Sequence, residues 1–467
     1  MTPADRMGLA SLAGTAAAVG ATAALLLLPA LWNGSPFFYW DSVDYVYLPF
    51  TWELPVYRTV SYAVFAGIGR LAGTLWAVVA TQALLVAWVL RETLVVFWPG
   101  RADRALAPLA LSLVLLTGLP WAVGTLMPDA FTGLVVLCIA ALAFDRGALG
   151  RRRFALAAIA AVAVAVHTSH LALAIGLVVA LSIVALAGRH LRLDLRPRLA
   201  LPALSIITAV ALVVGAHWLT IGRPVLTQPT GMLFLARLVQ DGIAKRFLDD
   251  HCVDGKPYLL CPYKDRLPPT ANAFLWQANA IPQQLQGWER LTPEAEEIVS
   301  RSLREYPLLH VAAAVRLTLE QFAMLRTGDG LMPAVGWFID DPLRRYYPAG
   351  YDAFVDAHQR KGIPFGAINR VHLPAATLVL LATLAGLAWA WRRGERPTLA
   401  LALTVLLALA GNAFICGALS NPNDRYQSRL VWLAAVAAAT AAATAASRTT
   451  ATATLVARRP PRTSNAD

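Results

Sequence analysis

The chain has 467 residues, 57% of them hydrophobic and only 15% charged, against about 25% charged in an ordinary soluble domain. Its net charge is +12, and all 40 basic residues except Lys245, Lys256, Lys264 and Lys361 are arginines. This excludes a string of soluble domains. The arginines cluster in short loops between apolar blocks, the positive-inside pattern of a membrane protein, and no nucleic-acid motif accompanies them.

Apolar blocks run at 8–32, 73–97, 105–123, 128–144, 153–187, 199–221, 371–391, 399–417 and 429–446. A helix crosses a bilayer in about 20 residues. The block at 153–187 would make one helix of about 52 Å, against a hydrocarbon core of about 30 Å. Both of its ends are basic, with Arg151, Arg152 and Arg153 before it and Arg189 and Arg192 after it. It is therefore expected to be a hairpin of two helices that turns at His167-Thr168-Ser169-His170. The expected fold is an all-α polytopic membrane protein of about ten transmembrane helices.

With the N-terminus in the cytoplasm, the segments 98–104, 145–153, 188–198, 392–398 and the tail all fall inside, and each carries arginine. The short outside loops 124–127 and 167–170 carry neither Arg nor Lys. The first block is too long for an ordinary signal peptide and lacks a clear cleavage site, so it reads as a retained span. The chain then divides into a seven-span region 1–221, an extracytoplasmic segment 222–370, a three-span region 371–446 and a cytoplasmic tail 447–467.

The first outside loop, 33–72, is rich in aromatics from Phe37 to Tyr62. They suit an interfacial belt, or a surface that stacks on carbohydrate or touches lipid. Asp41 and Asp44 are three residues apart and share a face on a helix. They read as solvated acids on a surface helix, as a general base, or as a carboxylate pair that orients a cation or an acceptor hydroxyl. Asp129 follows Pro128 at the head of a span, where a first-turn acid is favoured by the helix dipole. His167 and His170 form a hydrogen-bonding turn, donors to a phosphate, or two of the ligands of a metal. Arg425 and Arg429 lie one helical turn apart beside Tyr426, either capping the last span or clamping a phosphate.

The segment 222–370 is too long to be structureless. Helices are expected near 232–249 and from the capping-box-like Thr292-Pro293-Glu294-Ala295-Glu296 toward 325, with irregular loop over 252–291 between them. Within the second stretch, 307–325 contains Arg316 and Glu320 and is expected to lie on the membrane surface outside the cytoplasm. Cys252 and Cys261 would face an oxidising compartment and are expected to pair, whereas Cys138 and Cys416 sit in apolar blocks. The stretch holding Gly328-Asp329-Gly330, Pro342, Pro348 and Pro364 is expected to cover the polar face as a lid.

The layout resembles the polyprenyl-phosphate-sugar-dependent membrane glycosyltransferases of the C-type fold (GT-C), which include protein O-mannosyltransferases and bacterial lipid A aminoarabinose transferases. The matching features are Asp41 and Asp44 in WDSVDY, Pro55-Val56-Tyr57-Arg58, Pro128-Asp129 and Asp424-Arg425-Tyr426. The resemblance covers the chain as architecture and is weaker as motif. It implies Asp41 or Asp44 as the base that deprotonates an acceptor hydroxyl, with Arg425, Arg58 and His170 holding the lipid phosphate. The implied partners are a polyprenyl-phosphate-linked sugar, membrane lipid and an extracytoplasmic glycan, lipid or protein acceptor, at the cell (inner) membrane. The Asp-x-x-Asp spacing departs from the metal-binding Asp-x-Asp form, which leaves a divalent metal, Mg or Mn, open. Competing readings are a transporter or flippase of a lipid-linked envelope precursor, a membrane transferase using His167 or His170 as base, and a non-catalytic assembly protein. Internal repeats or midplane charges would favour the transporter, and none is evident in the sequence.

Overall fold

The computed structural model describes residues 3–55, 59–188, 193–227, 231–252 and 258–457. Arg58 with Val56 and Tyr57, Arg189 and Arg192, and Arg458, Arg459 and Arg462 of the tail lie outside the described residues.

The chain runs through α1 (Pro3–Asn33), α2 (Ser42–Thr51), α3 (Ser61–Ala72), α4 (Trp76–Phe97), α5 (Ala102–Leu116), α6 (Leu119–Gly124), α7 (Asp129–Phe144), α8 (Arg152–Ala165), α9 (Thr168–Ala187) and α10 (Ala200–Ile221). The long segment holds α11 (Gly231–Gln240), α12 (Ile243–His251), α13 (Ala271–Trp276), α14 (Ile281–Gln284), α15 (Trp288–Glu305), α16 (Pro307–Ala323), α17 (Gly336–Tyr346), α18 (Pro348–Asp356) and α19 (His358–Lys361). It is followed by α20 (Phe365–Arg393), α21 (Arg396–Ala418) and α22 (Asp424–Ala457). Among the described residues the only extended pairing is an isolated parallel bridge between Phe37 and Thr125. Helices suit lipid because they satisfy each backbone polar group within one segment.

Seven helices, α1, α4, α9, α10, α20, α21 and α22, are long and apolar enough to cross a membrane. The three remaining expected spans are shorter helices: α5 has 15 residues, α7 has 16 and α8 has 14. The block at 153–187 is two helices. His167 adopts an extended backbone, and its side chain accepts the Ser169 N–H, capping α9. The block at 105–123 is also broken, between α5 and α6, at Thr117 and Gly118. A side chain at Gly118 would press within 3.2 Å of the Ser428 carbonyl and the Thr327 hydroxyl, so glycine lets these three segments meet.

Every residue of α7 is buried, as expected of a helix that is apolar all round. It packs against α4, α8, α9, α10, α21 and α22. Buried charge gathers at one end of the bundle, where Arg91 meets Asp103 at 2.7 Å and Arg152 meets the fully buried Glu92 at 3.1 Å. Opposite charges held this closely offset the cost of taking each from water.

The long segment is not one unit. Residues from α11 to α16 enclose their own apolar core around Leu235, Phe247, Phe274 and Ile298. Cys252 and Cys261 are bonded at its edge, with Cα atoms 5.6 Å apart. The Thr292–Glu296 stretch does not start a helix: α15 begins at Trp288, and Glu294 accepts the N–H groups of Leu259 and Leu260. That helix ends at Glu305, before Pro307 starts α16. Nor does α16 lie alone on a surface. It packs along α21, where a side chain on Gly417 would collide with the Leu317 carbonyl. Its outer strip of Leu308, Val311, Val315 and Leu319 stays exposed. By contrast, Ile339, Leu343 and Phe354 of α17 and α18 join the main core with Tyr45 and Leu48 of α2.

Candidate functional site

Four separate stretches of chain are pinned around one cleft. Gln359 fixes the first by accepting the Phe38 N–H at 3.0 Å and donating to the Phe38 carbonyl at 2.6 Å. Ser42 donates to the Leu126 carbonyl at 2.9 Å, tying that stretch to the approach to α7. The third is the loop after α16: Thr327 donates its N–H to Asn369 of α20 at 2.8 Å and receives the Asn369 amide on its carbonyl at 2.9 Å. Gln321 and Asn423 exchange hydrogen bonds of 2.9 and 2.8 Å, setting the start of α22. These fixed backbones hold the side chains that face the cleft.

The cleft is partly open, and its lining includes Tyr39, Gly118, Asp129, Asp329, Arg425 and Arg429. Arg429 Nη1 lies 3.2 Å from Asp129 Oδ1, and Arg425 Nε lies 3.7 Å from the same oxygen. The Arg425 guanidinium is over the Tyr39 ring at 3.9 Å and over the Tyr426 ring at 5.1 Å. Arg429 also reaches Tyr426, at 5.1 Å. The Arg429 side chain is buried, 2% exposed, and that of Arg425 is nearly so, 13% exposed. Burial pushes the Tyr39 phenol well above its ordinary range, against the lowering pull of Arg425, so Tyr39 stays neutral.

Hydrogen bonding around these charges is incomplete. Arg425 Nε and Nη1, Arg429 Nε and Asp129 Oδ2 are buried and have no hydrogen-bond partner among the described residues. Unmet donors on buried guanidiniums are costly, and an incoming acceptor relieves that cost. Arginine pairs match the geometry of a phosphate.

Several of the residues singled out from sequence meet here. Asp129, Arg425 and Arg429 line the cleft, and Tyr426 stacks beneath both guanidiniums. Asp41 approaches Arg425 Nη1 at 3.9 Å but does not line the cleft. Asp44 is buried, accepts the Tyr47 hydroxyl at 3.3 Å and is likewise outside the lining. His170 is fully buried with both ring nitrogens engaged, one on Thr132 and one on the Ala163 carbonyl, each at 2.8 Å. His167 is turned to Ser169 at 2.8 Å and caps α9. Arg58 falls outside the described residues. Among the described residues no group of three or more His, Cys, Asp or Glu gathers in a way that suits a metal ion.

Asp329, Tyr39 and Gly118 were not marked as site residues by the sequence. Asp329 sits between Gly328 and Gly330, whose φ values are +90° and +75°. A side chain on Gly328 would collide with the Phe365 ring, and one on Gly330 with the Tyr39 ring. A paired glycine flank around one acid was the available signal, since glycine alone takes this backbone without strain. Asp329 Oδ2 accepts the Arg425 backbone N–H at 3.1 Å. Comparison with protein-family models, with curated proteins and with solved structures finds no match for this chain.

Proposed function

We propose that the chain is a membrane glycosyltransferase that moves a sugar from a polyprenyl-phosphate donor to an acceptor outside the cytoplasm. The unmet donors of Arg425 and Arg429 carry this reading: two buried guanidiniums face a cleft with one close carboxylate between them. A phosphate departing from the anomeric carbon gains negative charge, and positive donors already in place stabilise that charge as it forms. The cleft lies at the ends of apolar helices, which suits a substrate with its tail in lipid and its sugar in water. The bonded Cys252 and Cys261, on the segment between α10 and α20, agree with an oxidising side of the membrane. The arginines of the short loops agree with a cytoplasmic opposite side.

The test uses membranes that contain wild type, Arg425→Gln or Arg429→Gln protein and a panel of radiolabelled polyprenyl-phosphate sugars. Wild type is expected to release polyprenyl phosphate from one donor. Each substitution is expected to slow that release by about 10²-fold or more. Equal release by all three proteins rules out the arginine cleft as the site. Movement of intact labelled lipid across the membrane, with no bond broken, would instead establish a flippase.

A further inference from the structure

We propose that Asp329 is the base of the cleft and takes the proton from the acceptor hydroxyl, in place of Asp41 or Asp44. This assignment rests on the transferase reading and names a further residue of the same site. Five carboxylates are candidates for the base, and four are committed elsewhere. Asp129 is held by both guanidiniums, at 3.2 and 3.7 Å. Asp41 is paired with Arg425 from outside the lining. Asp44 is buried beside Tyr47, also outside it. Asp424 accepts the Arg326 N–H at 2.8 Å and does not line the cleft.

Asp329 shares the cleft lining with Asp129 and, unlike it, is not held by a guanidinium among the described residues. It is half-buried. Among the described residues its only hydrogen bond is from the Arg425 backbone N–H to Oδ2. Its other oxygen therefore remains available for a proton. The loop that carries it is rigid by construction. Thr327 is bonded to Asn369 on both its N–H and its carbonyl, and its hydroxyl meets His372 at 2.9 Å. Gly328 and Gly330 close against Phe365 and Tyr39. A carboxylate on a loop fixed from both sides is delivered in one geometry, which proton transfer requires.

In the step, Asp329 receives the hydroxyl proton as the acceptor oxygen bonds to the anomeric carbon. The bond from that carbon to the phosphate oxygen breaks, and its electron pair leaves with the phosphate. Arg425 and Arg429 stand beside the resulting charge. Donor, acceptor and carboxylate balance the reaction with no further reactant.

The experiment compares wild type, Asp329→Asn, Asp329→Glu, Asp41→Asn and Asp44→Asn in membranes with a donor that wild type consumes. Turnover is measured against pH, and retention of labelled donor is measured separately. Asp329→Asn keeps an oxygen that can accept the Arg425 N–H. It is expected to lower turnover by about 10²- to 10⁴-fold, to leave donor retention within a few-fold of wild type and to abolish the acid limb of the pH profile. Asp329→Glu is expected to recover part of the rate. Wild-type turnover by Asp329→Asn, together with loss in Asp41→Asn or Asp44→Asn, overturns the assignment while the transferase reading stands. If wild type breaks no bond in any donor of the panel used to choose that donor, both readings are overturned.

Discussion

The guanidinium of Arg425 lies over Tyr39, with its central carbon 3.9 Å from the ring centroid. Their positions are 386 residues apart in the sequence, and the contact joins the loop after α1 to the start of α22. The ring shields the cation from water on that side. A desolvated cation over an aromatic face gains about 1–2 kcal/mol. Tyr39→Phe is expected to use donor nearly as well as wild type, because the neutral ring remains. Tyr39→Leu is expected to lose about five- to thirty-fold, since about 1.4 kcal/mol is a factor of ten. Initial rates with one donor decide this, and equal rates for Phe and Leu would remove the ring from the site.

Gly330 makes a second test of the same wall. A methyl group there would enter the Tyr39 ring, and its φ of +75° is strained for any other residue. Gly330→Ala is expected to cost about 1–3 kcal/mol and to displace Asp329. Gly34→Ala separates the two causes, because Gly34 has a φ of +83° with nothing within 4 Å. Thermal unfolding in detergent should place Gly330→Ala clearly below Gly34→Ala. Equal values would mean that the ring moves aside.

His310 sets a pH response outside the spans. It is buried on α16, stacked on Phe234 and hydrogen-bonded to Ser302 at 3.1 Å. Burial, and then the charge of Arg237, hold its pKa below the ordinary value. The unfolded chain therefore binds the proton more readily than the folded one. The stability that neutral His310 contributes is complete above about pH 6.5 and is lost as pH falls toward the lower folded-state value. Proteolysis of the α11–α16 unit is expected to accelerate over that interval in wild type and to change less in His310→Gln. Parallel pH slopes in the two proteins would show that another group governs the response.

The bond between Cys252 and Cys261 closes a small ring at the edge of the α11–α16 core. Removing it as Cys252→Ser with Cys261→Ser is expected to cost about 2–3 kcal/mol. Limited proteolysis should detect this as earlier cleavage within 231–305, with the span region unchanged. Cys138 and Cys416 are buried and should resist a thiol reagent until the chain unfolds. Rapid labelling of either in the folded protein would contradict the packing of α7 and α21.

The sequence by itself determined the membrane class, the long apolar helices and the candidate arginine pair. Hydropathy and charge are local along the chain, so apolar blocks and basic loops are readable without contacts. The hairpin at His167 follows from helix length and the arginines at both ends of its block, and the Arg425–Arg429 pairing from the 3.6-residue turn. Tertiary structure decided the rest. The break at Gly118 lies inside one apolar block and has its reason in Ser428 and Thr327, which come from elsewhere in the chain. The pairing of buried Glu92 with Arg152 depends on two different helices. His170 belongs to packing, because Thr132 and the Ala163 carbonyl occupy it. Asp329 meets Arg425 across 96 positions of sequence. Composition records which residues carry charge, but only packing fixes which charges lie close enough to cancel. That difference leaves Arg425 and Arg429 with donors to spare.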